Sequence, residues 1–147
     1  MDRATKHSCA AALALLLTYA PAAADAPEGQ YTVHENIVED NRTGLTWQRQ
    51  VEVESFTWEE AKSYCELLTL DGRGWRLPAY KELLTIVDPT VSSPAIDGKA
   101  FPSTPRAWFW TASSYLGIAG NAWQVFFLDG TTVDVESTKT NRVRCVR

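Results

Sequence analysis

The chain has 147 residues, 22% of them charged, with 14 basic and 18 acidic side chains and a formal net charge of −4. That length suits one domain and is too short for two. The acidic balance argues against a general nucleic-acid binder, which needs a clustered basic excess.

Arg3 and Lys6 precede an uncharged apolar run, Cys9–Tyr19, and Pro21-Ala22-Ala23-Ala24 follows. Small residues at the −3 and −1 positions of a cut after Ala24 complete the pattern of a cleavable signal peptide over residues 1–24. A membrane anchor is the alternative, but the run is shorter than the ~20 apolar residues that span a bilayer. A lipoprotein cysteine would follow the apolar core, whereas Cys9 stands at its front. The expected location is therefore extracytoplasmic, periplasmic or secreted, with no stable membrane insertion after cleavage.

Cleavage leaves 123 residues, Asp25 to Arg147. Loss of Asp2, Arg3 and Lys6 leaves 17 acidic and 12 basic side chains, a net charge of −5. The one local basic cluster is Arg142, Arg144 and Arg147. Cys65 and Cys145 remain, and an even count in an exported chain reads as a disulfide. The alternative is a catalytic cysteine or a metal pair. His34 is the only histidine left to partner either, so no cofactor or metal is expected.

Residues 25–29 form a short polar leader. Tyr31–His34 and Ile37–Glu39 read as strands, Asp40-Asn41-Arg42-Thr43-Gly44 as a turn, and Leu45–Arg49 as a third strand. Asn41-Arg42-Thr43 matches the glycosylation triplet, though in this turn its plainer role is backbone geometry. Thr57 with Glu60 three residues on predicts a capping box, with Phe56 packing on Ala61 as a staple. Ala61, Tyr64, Cys65 and Leu68 then share one helical face, which points Cys65 inward. Asp71-Gly72-Arg73-Gly74 ends that helix.

A second, shorter helix follows Trp75-Arg76-Leu77-Pro78 and runs to about Val87, with Leu83, Leu84 and Val87 inward. Residues 88–106 hold four of the seven prolines and predict a long irregular loop, a common place for function. Trp108–Ser113 and Asn121–Leu128 read as strands. Asp129-Gly130 is a two-residue hairpin signal leading into Thr131–Glu136. Counting outward from it pairs Phe126 with Val133 and Gln124 with Val135 on one face. On the other face Trp123 meets Glu136, Val125 meets Asp134, and Phe127 meets Thr132. In the closing strand Asn141–Arg147, Val143 and Cys145 alternate with Arg142 and Arg144, so a buried Cys145 places both arginines outside. The order of elements fits an α+β domain, two helices packed on antiparallel sheet.

Several motifs occur together in order. They are Asp40-x-x-Thr-Gly-Leu-Thr-Trp-Gln, then Trp58-x-x-Ala-x-x-Tyr-Cys, then Gly74-Trp-Arg-Leu-Pro-x-x-x-Glu-Leu. Phe101-Pro102, Trp110-Thr-Ala-Ser-Ser, Phe127-x-Asp-Gly and Val143-Arg-Cys-Val-Arg complete the set. Over residues 30–147 this pattern resembles the C-terminal domain family of the Legionella collagen-like adhesin, a domain of unknown function. The resemblance implies a C-type-lectin-like fold related to formylglycine-generating enzymes. It also implies a disulfide from the first helix to the last strand, here Cys65 to Cys145, and a glycan or sulfated polysaccharide as ligand. The chain has no Gly-X-Y repeat, so the adhesin's trimerisation does not carry over.

The chain departs from its relatives at three points. Ala79 stands where the family usually has threonine, a lost cap of about 1 kcal/mol. The Glu-Pro-Asn or Gln-Pro-Asp loop and the Trp-Asn-Asp strand of calcium-dependent lectins are both missing. The active-site cysteines of the formylglycine-generating enzymes are not spare if both cysteines form a bridge.

Arg76 reads as a structural partner of Glu82, and Trp47, Trp58 and Trp75 as core. Ligand-binding candidates are Trp108, Trp110, Trp123 and Phe127, whose rings suit sugar faces or protein anchors. Arg106, Arg142 and Arg144 join them because a guanidinium fork suits sulfate or carboxylate. Core packing and solvated arginines are the plain alternatives. Asp134 and Glu136, about 7 Å apart on one strand face, would be the pair for a glycosidase. His34 has no nucleophile elbow to serve. The expectation is a non-catalytic binding module for a glycan, a polysaccharide or an envelope protein. A divergent enzyme is the remaining alternative.

Overall fold

The computed structural model describes residues 26–147; the expected signal peptide lies outside them. Eight elements follow in order: β1 (Tyr31–Val33), β2 (Ile37–Asp40), β3 (Leu45–Gln48), α1 (Trp58–Leu67), α2 (Tyr80–Leu84), β4 (Trp108–Ser114), β5 (Asn121–Phe126) and β6 (Thr132–Glu136). The α+β class stands, and the strands form two antiparallel sheets, β1-β2-β3 and β4-β5-β6. Among the described residues no helix is long and apolar enough to cross a membrane.

Local chemistry explains the first half. In the β2–β3 turn the two Asp40 carboxylate oxygens accept from the Arg42 N–H and the Thr43 hydroxyl, and the Asp40 carbonyl accepts from the Gly44 N–H. Asn41 spends its amide on the Gly29 carbonyl and the Thr32 hydroxyl, each at 3.0 Å. The triplet therefore serves turn geometry. At α1 the Glu60 carboxylate reaches back to accept from the Thr57 N–H at 2.8 Å, the glutamate half of a capping box, and also from the Thr57 hydroxyl at 2.8 Å. Phe56 stacks on Tyr64, ring centroids 4.9 Å apart.

Glu82 is gripped by both guanidinium ends of Arg76 at 2.7 Å and caps the Ala79 N–H at 2.8 Å. The next N–H, that of Tyr80, donates to the Ser113 hydroxyl on the sheet at 3.0 Å. The expected helix to Val87 stops at Leu84, and Thr85–Val87 continue as a turn.

The C-terminal segment joins the two sheets. Asn141 pairs with Phe56, Arg142 hydrogen-bonds the backbone of Trp108 and Trp110, and Cys145 to Arg147 pair with Thr46, Gln48 and Arg76. Neighbours thus flank it on both edges, and Val143, Arg144, Cys145 and Val146 are all buried. The Cys65–Cys145 disulfide closes a sequence separation of 80 residues and ties α1 to this segment. One apolar cluster gathers around Trp47, Leu83, Phe101, Phe109, Val125 and Phe127. A second surrounds the disulfide with Ala61, Trp75 and Trp110.

Two corrections concern the second half. The hairpin register is two residues off the count from Asp129-Gly130, because Trp123 faces Asp134, Gln124 faces Val133 and Val125 faces Thr132. The turn is longer than two residues: Phe126 and Thr131 close it, and Gly130 takes the left-handed conformation at φ +84°, which glycine adopts without strain. Phe127 leaves the strand, donating to the Ala107 carbonyl and accepting from Ala95. The second correction is the 88–106 loop. It is irregular, yet Ala95, Ile96, Ala100 and Phe101 are core residues, so much of it is wall rather than open binding surface.

Candidate functional site

Burial removes three of the seven expected ligand contacts. Trp110 and Phe127 are fully enclosed; the Trp110 indole N–H donates to the Phe56 carbonyl at 2.8 Å, and Phe127 packs edge-on against Phe109. Arg144 is also fully buried, contrary to the outward orientation expected from alternation. Its guanidinium donates to the Gln48 and Arg49 carbonyls and the Thr104 hydroxyl at 2.7–2.8 Å. It also lies over the Phe101 ring. No carboxylate offsets it, so burial pushes its pKa down to about 9.

Arg142 is half-buried and bound to the Glu52 and Glu54 carbonyls, which makes it a tie for the 52–54 strand connection. Trp108 is half-buried and stacks on Phe126 at 4.7 Å. Arg106 is exposed. Arg142 and Arg144 are thus committed to backbone and hydroxyl acceptors rather than turned outward as a basic patch with Arg106.

Trp123 is different. Its half-buried indole is held by Tyr80 at 5.1 Å, tilted 39°, and by Tyr115 at 5.2 Å, edge-on at 85°. The Thr111 hydroxyl donates to the Trp123 carbonyl at 2.9 Å and fixes the strand beneath. Cross-strand partners share a face, so Asn121, Thr132, Asp134 and Glu136 lie on the side of the sheet that Trp123 occupies. Asn121 donates to Asp134 at 2.7 Å, and the Tyr80 hydroxyl reaches Thr132 at 3.1 Å. An aromatic shelf with a rim of carboxylate, amide and hydroxyl groups results. Beside Tyr115, the β4–β5 turn exposes Leu116 (96%) and Ile118 (55%).

Sequence reasoning selected Trp123 and missed both tyrosines. Tyr80 opens α2 and Tyr115 directly follows β4; no local spacing links either to Trp123. Of the carboxylates weighed for glycoside chemistry, Asp134 is engaged by Asn121. His34 has Glu39 for a neighbour at 3.6 Å rather than a serine. Trp47 and Trp75 are core as expected, and half-buried Trp58 donates its indole N–H to the Thr111 carbonyl.

Fold and site together define a disulfide-locked α+β domain that presents a rigid aromatic surface. Among its described residues no three His, Cys, Asp or Glu side chains could hold a metal ion. The family model described as the Lcl C-terminal domain matches residues 36–147, and the chain belongs to that family. No curated protein matches it. The matched span takes in both cysteines and the whole Trp123 shelf; β1 precedes it and pairs with β2.

Proposed function

We propose that this chain is an extracytoplasmic, non-catalytic binding module of C-type-lectin-like fold that recognises a glycan or polysaccharide through the Trp123 shelf. The observation that carries the reading is an indole left partly open while two tyrosines and a strand hydroxyl fix its orientation. A pyranose offers an apolar C–H face and a rim of hydroxyls. The first suits an aromatic ring, and the second suits the Asn121–Asp134 pair and Thr132. Because the rings are already ordered, little rotamer freedom is lost on binding. Asp134 and Glu136 on the same face favour hydroxyl donors over sulfates, so a sulfated chain would have to engage Arg106 and Trp108 instead. Both cysteines of the described residues are in the disulfide, which leaves the divergent-enzyme reading without a thiol.

A second reading, an envelope protein as partner, is favoured by Leu116 and Ile118, whose exposure beside the shelf suits a protein anchor. A glycan array on the oxidised protein separates the two. The shelf reading expects Trp123→Ala to weaken glycan binding at least tenfold, Trp123→Phe to retain part of it, and Trp108→Ala to change little, with thermal melts confirming folded variants. Glycan binding unchanged in Trp123→Ala would refute the shelf. Glycan silence, with a co-purifying protein lost in Leu116→Asp, would favour the partner reading.

A further inference from the structure

Two adjoining clefts of about 360 and 310 Å³ share Ala26, Pro27, Tyr31 and Asp97 and so form two lobes of one groove. Each lobe falls in the size range of small-ligand sites. The larger is lined on its apolar side by Ile86, Val87 and Pro89 and on its polar side by Arg42, Asp88 and Thr90. The Tyr31 ring lies between the lobes, fixed edge-on against Phe101 at 5.3 Å.

The polar groups of this groove divide into spent and spare. Asp97 is spent, because its carboxylate accepts from the Ala26, Lys99 and Ala100 N–H groups at 2.8–2.9 Å. It holds the Ala26–Pro27 stretch against the groove. Asp88 engages Thr90 through one oxygen only, from backbone and hydroxyl. The Arg42 guanidinium donates to the Thr85 carbonyl at 3.1 Å through one of its nitrogens. The Tyr31 hydroxyl has no hydrogen-bond partner among the described residues. A donor fork, a carboxylate oxygen and a phenol therefore converge on an apolar wall.

The charge balance sets the ligand's sign. Burial chiefly, then Asp40, with smaller contributions from Asp97 and Asp88, holds the Tyr31 hydroxyl well above the ordinary tyrosine pKa, against the opposing pull of Arg42. Across the two lobes three carboxylates, Glu28, Asp88 and Asp97, outnumber two cations, Arg42 and Lys99, so a sulfate or uronate would meet a net negative lining. A hydroxyl-rich neutral ring would meet no such barrier, and its vicinal hydroxyls both donate to a carboxylate and accept from a guanidinium.

We infer that the Tyr31–Arg42–Asp88 groove is a second binding site that takes a neutral saccharide, one pyranose in the larger lobe with the chain continuing into the smaller. It goes beyond the shelf reading and does not depend on it.

The test is an amide-shift titration of the ¹⁵N-labelled, oxidised full chain with methyl β-glucoside, methyl β-galactoside, methyl α-mannoside and methyl β-glucuronide. Each is taken to about 50 mM, enough to register a millimolar Kd. At least one neutral glycoside should shift the amides of Gln30, Tyr31, Arg42 and Thr90. The glucuronide should bind at least tenfold more weakly. Arg42→Ala and the shape-conserving Asp88→Asn should each weaken the neutral glycoside at least tenfold, with dispersed spectra confirming their fold. Trp123→Ala should leave these shifts in place, so failure here and failure of the shelf are read separately. Shifts confined to the shelf, none with any neutral glycoside, equal affinity for the glucuronide, or wild-type binding in both groove variants would overturn the inference.

Discussion

Arg144 is the residue whose replacement most directly tests how the two sheets are held together. Its guanidinium is fully buried with no carboxylate beside it, and it makes three hydrogen bonds of 2.7–2.8 Å to neutral oxygens. Bonds to a charged donor contribute about 1.5–3 kcal/mol each. Arg144→Leu removes them all and also removes the several kcal/mol that dehydrating the cation costs. These two changes largely cancel. What remains is the state of the acceptors, because two are backbone carbonyls and none is deleted with the arginine. Gln48 and Thr104 are buried, and an unpaired buried polar group costs about 1–3 kcal/mol.

The Arg49 carbonyl and the lost contact with Phe101 add to that, so we expect Arg144→Leu to lose about 2–6 kcal/mol, the cost of leaving the two buried neutral acceptors unpaired. Arg144→Lys keeps the charge but lacks the fork that spans carbonyls and hydroxyl, and should fall between. Urea unfolding of the oxidised proteins measures this as a lower midpoint at unchanged slope. A loss below about 1 kcal/mol for Arg144→Leu, or a gain, would show that the buried cation contributes nothing net and would refute the reasoning.

Replacing Cys65 and Cys145 together by alanine releases a loop of 80 residues and should destabilise the fold by about 4–5 kcal/mol in the chain-entropy model; a midpoint unchanged in urea would contradict it. The Arg76 hydrogen bonds hold the Glu82 carboxyl below its ordinary value of 4.5. Its stabilisation is therefore fully present above about pH 4.5 and lost as pH falls through the lower folded value. Glu82→Gln should flatten that acid limb of the stability–pH curve; an identical limb would assign the acid sensitivity elsewhere.

How much of this was legible follows from how local each interaction is. Thr57–Glu60, Arg76–Glu82 and the Asp40 turn lie within a few residues and could be read from spacing. The cysteine pairing followed from count and facing. The outward reading of Arg144 failed because strand alternation assumes that one face meets solvent. Here the segment is paired on both edges, with β3 and Arg76 as well as with the Trp108–Trp110 stretch, and no single-strand pattern carries that information. The hairpin register failed for a tertiary reason: Phe127 is drawn out of β5 by Ala95 and Ala107. A slip of two residues keeps each side chain on its face, which is why Trp123 stayed a sound candidate despite the wrong partner.

The departure at Ala79 connects fold to site. A threonine there would offer its hydroxyl to the Lys81 or Glu82 N–H as an N-cap. With alanine, Glu82 still caps the Ala79 N–H, and the adjoining Tyr80 N–H donates to Ser113 on β4, so the helix start is docked on the sheet. The residue whose N–H makes that contact is Tyr80, and its ring lies on Trp123. The helix start is thereby pinned to the strand next to the one that carries the indole, and the Tyr80 hydroxyl is pinned again to Thr132 on β6. Three adjacent strands thus fix one aromatic pair. An interlock of this kind confers rigidity that short α2, five residues long, has too few turns to provide alone. A shelf so constrained suits recognition of a ligand whose own shape is rigid.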